Sequence, residues 1–393
     1  MFLILKNIAL FQGIIFFTVC LTPIWAKPYI PQDDEHVLEY VPVLQGPFQQ
    51  QLDQLRQAWK SDPQNLSLAL RLTKEYRELG RTQGDPRYYG YAQATLAPWW
   101  DLPNPPSEVL LLRGILRQAQ HDFVGALEDI ASVLRVQPGN AQAWLTQAVI
   151  FQVRGDFERA QRSCRPLVRL TSILVATTCK ASTESLSGRA KESYALLKSA
   201  LQKSTRDPPK VKLWALTVLA EIATRLGDIQ SAEHHFTHAL SLGIPDTYLL
   251  GAYCNLLLDT GRAVEVPPLL QKNTHSDGLL LRLALAEQQL KVPEMASRVQ
   301  NLQMRFAESR LRGDNPHLRV KARFTLHLLN QPEEALALAR QNWEIQREPA
   351  DIRILLEAAL KSDNPKAAQP VIQWIKSVRL EDVRLQKLIA RFP

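Results

Sequence analysis

The chain has 393 residues, too many for one ordinary hydrophobic core, so length alone predicts two or three domains. Apolar residues make up 46% and charged residues 22%, which excludes a disordered or collagen-like chain. With 16 Gly against 25 Pro, helices punctuated by proline are expected rather than a turn-rich sheet fold, and a net charge of +8 without any block of five Lys or Arg gives no nucleic-acid stripe.

Residues 1–26 carry one charge, Lys6, an apolar run from Ile8 to Leu21, and a small residue, Ala26, where a cut would fall. That layout predicts a secretory signal peptide over 1–26, with an uncleaved membrane anchor as the alternative. Residues 27–46 form an arm with Pro28, Pro31, Pro42 and the acidic cluster Asp33-Asp34-Glu35. From 47 to 393 apolar residues recur at helical spacing, and no strand alternation stands out. A lone helix is expected over Phe48–Lys60, then a helix pair over Leu66–Trp99 with a long turn, Arg81–Pro86. The clearest pairs are 107–138, 141–170 and 213–245, with a fair one at Leu174–Leu201. Possible breaks fall at 202–209 and 263–276, where Pro267 and Pro268 are expected to interrupt a second helix. Later pairs are expected at Asp277–Arg312 and Pro316–Trp343, a degenerate one at Pro349–Val378, and a polar closing helix at Glu381–Arg391.

The units are self-similar. Gly114, Ala126 and Pro138 mark one, Trp144, Phe151, Gly155 and Ala160 the next, and Gly227, Ala232, Phe236 and Ala239 a third. The pattern resembles the tetratricopeptide repeat (TPR), whose period is about 34 residues. Asp62-Pro63-Gln64-Asn65 and Gln137-Pro138-Gly139-Asn140 look like that family's repeat endings. Small residues let two helix axes approach, and a large aromatic from the neighbouring unit fills the remaining gap. The resemblance implies an all-α fold, a right-handed superhelical solenoid of antiparallel helix pairs. About ten 34-residue lengths fit after the arm, so the long chain becomes one continuous body rather than several domains.

In that family the first helix of each unit lines a concave groove. By register this puts Gln118, Gln142, Leu145, Gln152, Ser182, Thr217, Glu221 and Asn255 on the groove face. Uncharged polar and aliphatic groups of this kind hydrogen-bond an extended peptide or a partner helix. The aromatic group Tyr88, Tyr89, Tyr91, Trp99 and Trp100 has two readings, a terminal core or a recognition patch, and the core is the simpler.

Chemical motifs are few. His234 and His238, four apart, share a helix face and could chelate a metal, but no Glu follows the first His as a metalloprotease requires. The flanking core positions leave His234, His235 and His238 on an outer face, where a solvated His cluster is the simpler reading. Cys164 falls on a second helix and Cys179 on the next first helix; these pack in a repeat stack, so a disulfide is expected, with two buried thiols as the alternative. Cys254 takes a small-residue position and reads as packing. No Cys-x-x-Cys, P-loop or Gly-x-Ser-x-Gly occurs, so neither catalysis nor a cofactor is expected.

An export leader joined to such repeats resembles periplasmic TPR proteins of Gram-negative bacteria. The expected function is therefore that of an exported, non-enzymatic scaffold or assembly factor that binds an envelope protein or peptide in its groove. The alternative is a periplasmic metal-handling protein using His234 and His238.

Overall fold

The computed structural model describes residues 47–271, 273–311 and 318–392. The expected leader and arm lie outside the described residues. Within these, every regular element is a helix. A lone helix, α1 (Pro47–Ser61), leads into a hairpin of α2 (Leu66–Gln83) and α3 (Arg87–Thr95), followed by one short turn of helix, α4 (Ala97–Trp100). Next come α5 (Ser107–Ala119) with α6 (Phe123–Val136), and α7 (Ala141–Val153) with α8 (Phe157–Cys164) and the short α9 (Leu167–Leu170). Then α10 (Ile173–Glu184) pairs with α11 (Ala190–Lys203), and α12 (Pro209–Leu226) with α13 (Ile229–Ser241). α14 (Thr247–Asp259) pairs with α15 (Val266–Leu270), and α16 (Asp277–Leu290) with α17 (Met295–Leu311). Two more hairpins, α18 (Leu318–His327) with α19 (Pro332–Ile345) and α20 (Pro349–Lys361) with α21 (Pro365–Val378), precede α22 (Val383–Ile389).

Local chemistry sets the helix starts. Asn65, Asp122, Asn140, Asp156, Asp228 and Asp246 each cap a helix by accepting the backbone N–H three residues on, at 2.9–3.2 Å. The turns share a second device. One residue in each of the nine described hairpins is left-handed: Gly84, His121, Gly155, Gly188, Gly227, Gly261, Lys291, Asn330 and Asp363, with φ between 49° and 82°. Glycine tolerates this conformation; the four other residues pay a steric penalty for it. Three of those four fall in the units after residue 263, which removes one landmark from their sequence. Their turns have the same shape but lack the glycine. Pro349–Val378 is accordingly not degenerate in structure but a regular hairpin, α20–α21.

Small residues recur on the first helices. Ala148, Ala181, Ala220, Cys254 and Ala284 are buried at 2% exposure or less, and Gly114 is buried in the equivalent place. A Cβ on Gly114 would stand 3.0 Å from Ile130 Cδ1 and 3.3 Å from the Ala126 carbonyl, so the close approach of α5 and α6 leaves room for glycine and would make Ile130 shift for anything larger. The fully buried Ile130 side chain contributes about 1.5–3 kcal/mol by leaving water. Pro267 and Pro268 do not break a longer helix. They occupy the first turn of the five-residue α15, where a missing N–H costs nothing, after a 3₁₀ turn at Ala263–Glu265.

The stack is continuous. First helices contact first helices in the order α2, α5, α7, α10, α12, α14, α16, α18, α20, and several hydrophobic clusters run along the chain instead of one central core. α12 packs on both α10 and α11 across the loop at 204–208, and α14 packs on α16 across the segment 263–276.

What the repeats do not specify is how tightly the solenoid curls. Its second half rests on the hairpin turns of its first half. Arg81 pairs with Asp246 and its carbonyl accepts the Thr247 hydroxyl at 3.0 Å, joining α2 to α14. Arg347 N–H donates to the Val153 carbonyl at 2.8 Å, and Ala190 N–H donates to Glu381 at 2.8 Å. Gly155 faces Trp374, Gly188 faces Arg379 and Gly227 faces Val383. Phe157 and Leu186 belong to the same buried cluster as Trp343, Leu355 and Leu385. The last helix is therefore no polar cap: α22 packs on α12 and α20 with Leu385 only 2% exposed.

Candidate functional site

Because the solenoid closes on itself, its inner face encloses a cavity of about 690 Å³, within the usual range for ligand sites. The first helices α7, α10, α12, α14, α16, α18 and α20 line it, and α22 contributes Arg384 and Leu385. Tyr248 lines this cavity yet is 57% exposed, so the lumen is open to solvent.

Four of the eight residues assigned to the groove by register meet here: Gln152, Ser182, Glu221 and Asn255. The other four do not line it. Thr217 is 5% exposed and turns its hydroxyl back to the Leu213 carbonyl at 2.9 Å. Leu145 packs against the buried group Ala148, Cys164, Leu167, Ala176 and Cys179. Gln142 bonds Thr146 at 3.3 Å within its own helix, and Gln118 lies half-buried on α5. A rotation of one position on a helix is 100°, which suffices to carry a side chain from the lumen into the helix interface.

The charged lining follows no register drawn from the early units. Arg319 pairs with Glu348 at 2.8 Å and Asp351 at 3.4 Å. Arg353 bridges Asp259 at 2.6 Å and Glu357 at 2.7 Å, and Arg384 holds Asp382 at 2.6 Å. Burial works to raise the Glu357 carboxyl, but the His327 hydrogen bond at 2.9 Å and the Arg353 charge overcome it and hold the group at about 2. Glu221 is raised, first by burial, although the Tyr248 hydroxyl donates to it at 2.5 Å. Asp351, on the N-terminal turn of α20, is pushed up to about 6 by burial against the pull of Arg319. Extending the register through Lys291, Asn330 and Asp363 as turn residues is the signal by which Arg282, Arg323 and Arg353 could have been placed on the inner face.

With the geometry in hand, comparisons add little beyond fold. No protein-family model matches the chain, and no curated protein does. Among solved structures, the crystal structure of the APC/C hetero-tetramer Cut9–Hcn1 is similar at 17% identity and a TM-score of 0.37, over 78% of this chain and 52% of that one. The chain thus spans about half the length of that protein. A tetratricopeptide repeat protein from Parabacteroides merdae ATCC 43184 is similar at 13% identity and a TM-score of 0.33, over 74% and 98% of the two chains. The TPR domain of P58(IPK) is similar at 14% identity and a TM-score of 0.21, over 82% and 96%. Scores this low decide nothing by themselves; the decision rests on nine hairpins with matching left-handed turns and a continuous inner layer of first helices. The fold is TPR-like.

In this TPR-like array the cysteines fall as the repeat stack predicts. Cys164 on α8 and Cys179 on α10 form a disulfide with Cα atoms 5.7 Å apart, and Cys254 is free and buried. Burial pushes the Cys254 thiol up to about 11, which leaves it unreactive near neutral pH. The His cluster divides. His234 and His238 are exposed with ring centroids 6.3 Å apart, but His235 does not sit on an outer face. It is 6% exposed and bonds the Tyr194 hydroxyl at 2.8 Å, because α11 covers that side of α13. Among the described residues no group of three or more His, Cys, Asp or Glu converges on a point. Most of the aromatic group packs as a terminal core: Tyr88 is buried, and Tyr89, Trp99 and Trp100 pack partly buried on the same cluster. The Arg113 and Arg117 guanidinium carbons lie 6.0 and 5.9 Å from the Trp100 ring, whereas Tyr91 touches Tyr76 and Tyr88 but is 49% exposed. No helix among the described residues is long and apolar enough to cross a membrane.

Proposed function

We propose that the protein is an exported, non-enzymatic binding protein that holds a segment of an envelope protein at its inner face, in a scaffolding or assembly role. The observation that carries this reading is the lumen itself. It is open to solvent, and neutral polar groups (Gln152, Ser182, Asn255, Gln288) and aliphatic ones share its lining with the charged residues described above, a surface that can hydrogen-bond the main chain of a peptide. The polar groups that could do chemistry have structural duties instead. Ser182 donates to the Cys179 carbonyl at 2.9 Å, and His327 is tied to Glu357. Export is supported by the leader-like residues 1–26 and by the Cys164–Cys179 bond, since disulfides persist in oxidising compartments. The compartment proposed is the periplasm, with the chain either released by cleavage or tethered by its leader.

The test is site-specific crosslinking in cells. A photoreactive phenylalanine analogue at position 152 should capture a discrete protein, whereas the same analogue at Thr237, exposed on the outer helix α13, should not. Equal capture at both positions, or none at 152, sinks the reading. Fractionation into periplasm and cytoplasm tests export separately.

A further inference from the structure

The arginines of the lumen differ in what they face. Arg319, Arg353 and Arg384 each hold carboxylates. Arg225, Arg282 and Arg323 have none within ion-pair distance among the described residues, although Asp259 and Glu357 lie close enough to act on Arg323; of these, Arg282 and Arg323 come together. Arg282 donates from Nε to the Gly251 carbonyl at 2.8 Å and to Asn255 Oδ1 at 3.0 Å, and from Nη1 to the Gly278 carbonyl at 2.6 Å. Arg323 donates from Nη1 to the same Asn255 Oδ1 at 2.7 Å. Two guanidinium groups thus converge on one neutral oxygen. Each offers five N–H donors, and Nη2 of both has no acceptor in the described chain. Both arginines line the cavity.

The arrangement is held in place. Gly251 lies beneath Arg282, and a Cβ there would stand 3.3 Å from Cζ and from Nε, so a larger residue would crowd the guanidinium and make it shift. Gly278 and Gly251 supply carbonyls on either side of it. The cost of the arrangement is electrostatic. Burial, then the charges of Arg323 and Arg319, lower the Arg282 guanidinium to about 9, and burial, then Arg353, lowers Arg323 to about 10. Two like charges this close repel, and an anion placed between them relieves that repulsion.

We propose that Arg282 and Arg323, fixed by Asn255, form a binding site for a small organic anion, a carboxylate- or phosphate-bearing molecule that fits within the lumen. Its charged group takes charge-assisted hydrogen bonds from the free Nη2 donors of both arginines, a geometry that a planar carboxylate or a phosphate matches and a chloride ion does not. The site shares the cavity with the proposed protein partner but does not depend on one.

Calorimetry and thermal unfolding of the purified chain in chloride buffer, titrated with inorganic phosphate in one arm and citrate in the other, test this. Saturable one-to-one binding in one arm is expected, and it assigns the anion class. Binding should weaken at least about tenfold in Arg282→Gln and in Arg323→Gln, the loss of one charge-assisted contact. A purely structural role for the arginines makes a different prediction. Under the proposal, Arg323→Gln without anion unfolds no earlier than the natural chain, and only the natural chain gains stability when anion is added. If Arg282→Gln does not fold, Gly251→Ala, which crowds the guanidinium without removing it, replaces it. Featureless titrations in both arms, unchanged binding in the variants, or stabilisation that tracks ionic strength equally in all chains overturn the proposal. Loss of crosslinking at position 152 with anion binding intact sinks only the partner reading; the converse sinks only the anion site.

Discussion

Substituting Gly155 by Ala tests whether the solenoid closes on itself in solution. Gly155 has φ +76°, and an added Cβ would stand 2.6 Å from Trp374 Cζ2, a residue more than two hundred positions away in sequence, and 3.2 Å from Arg347 Cβ. Trp374 has little freedom to retreat: it packs edge-on against Trp343 at 5.2 Å and against Phe157 at 5.8 Å. Two costs add. Left-handed backbone for a non-glycine residue costs about 1–2 kcal/mol. Overpacking against a held ring costs about 1–3 kcal/mol more. Gly243 and Gly261 provide the control, since both have positive φ (+66° and +75°) and nothing within 4 Å of an added Cβ. Gly243→Ala and Gly261→Ala should therefore show only the backbone part, about 1–2 kcal/mol. Urea unfolding followed by tryptophan fluorescence and far-UV circular dichroism measures the difference, and small-angle scattering reports the dimensions. Gly155→Ala should fall below both controls by about 1–3 kcal/mol and expand the particle. If all three variants unfold together with unchanged dimensions, the halves do not touch in solution and the enclosed cavity is not there.

Further expectations concern single interactions. Asp129 is 3% exposed and accepts from Arg113 at 2.6 and 2.9 Å and from Arg117 at 2.9 Å, so Asp129→Ala should cost about 3–5 kcal/mol by stranding two guanidinium groups, read from the denaturation midpoint; a loss under 1 kcal/mol would contradict the buried pairing. Burial, then the His234 and Lys198 charges, lower His235 from 6.5 to about 4. The folded chain then binds fewer protons than the unfolded chain between those values, so its contribution to stability is present above pH 6.5 and lost as pH falls to about 4. His235→Gln should flatten that acid limb in a pH series of unfolding curves, and an unchanged limb would assign it to other groups. Lys291, exposed and left-handed at φ +57°, should gain about 0.5–1 kcal/mol when replaced by Gly, whereas Arg77, mid-helix in α2, should lose a similar amount on the same change.

Helix pairs, their caps and their small contact residues were legible because they are local. Asn140 caps the helix that follows it, Gly114 sits where Ile130 must pass, and Gly155, Gly188, Gly227 and Gly261 mark turns. The pairing of Cys164 with Cys179 followed from the same short-range logic. Where a turn uses His121, Lys291, Asn330 or Asp363, the shape persists without its residue signature, and in the later repeats few other landmarks make up for it. Of the residues assigned to the groove by register, half line the lumen, while Thr217 and Leu145, in units whose turns do carry glycine, face the helix stack.

Sequence by itself determined that this is a TPR-like helical array, because each unit is held together by its own residues and its neighbour's. Tertiary structure alone decided that the array closes. A small rotation per repeat, summed over nine hairpins, brings Trp374 onto Gly155 and Asp246 onto Arg81, and no single repeat records that sum. Closure turns an open groove into a lumen and brings Arg282 and Arg323, on different repeats, to one oxygen of Asn255.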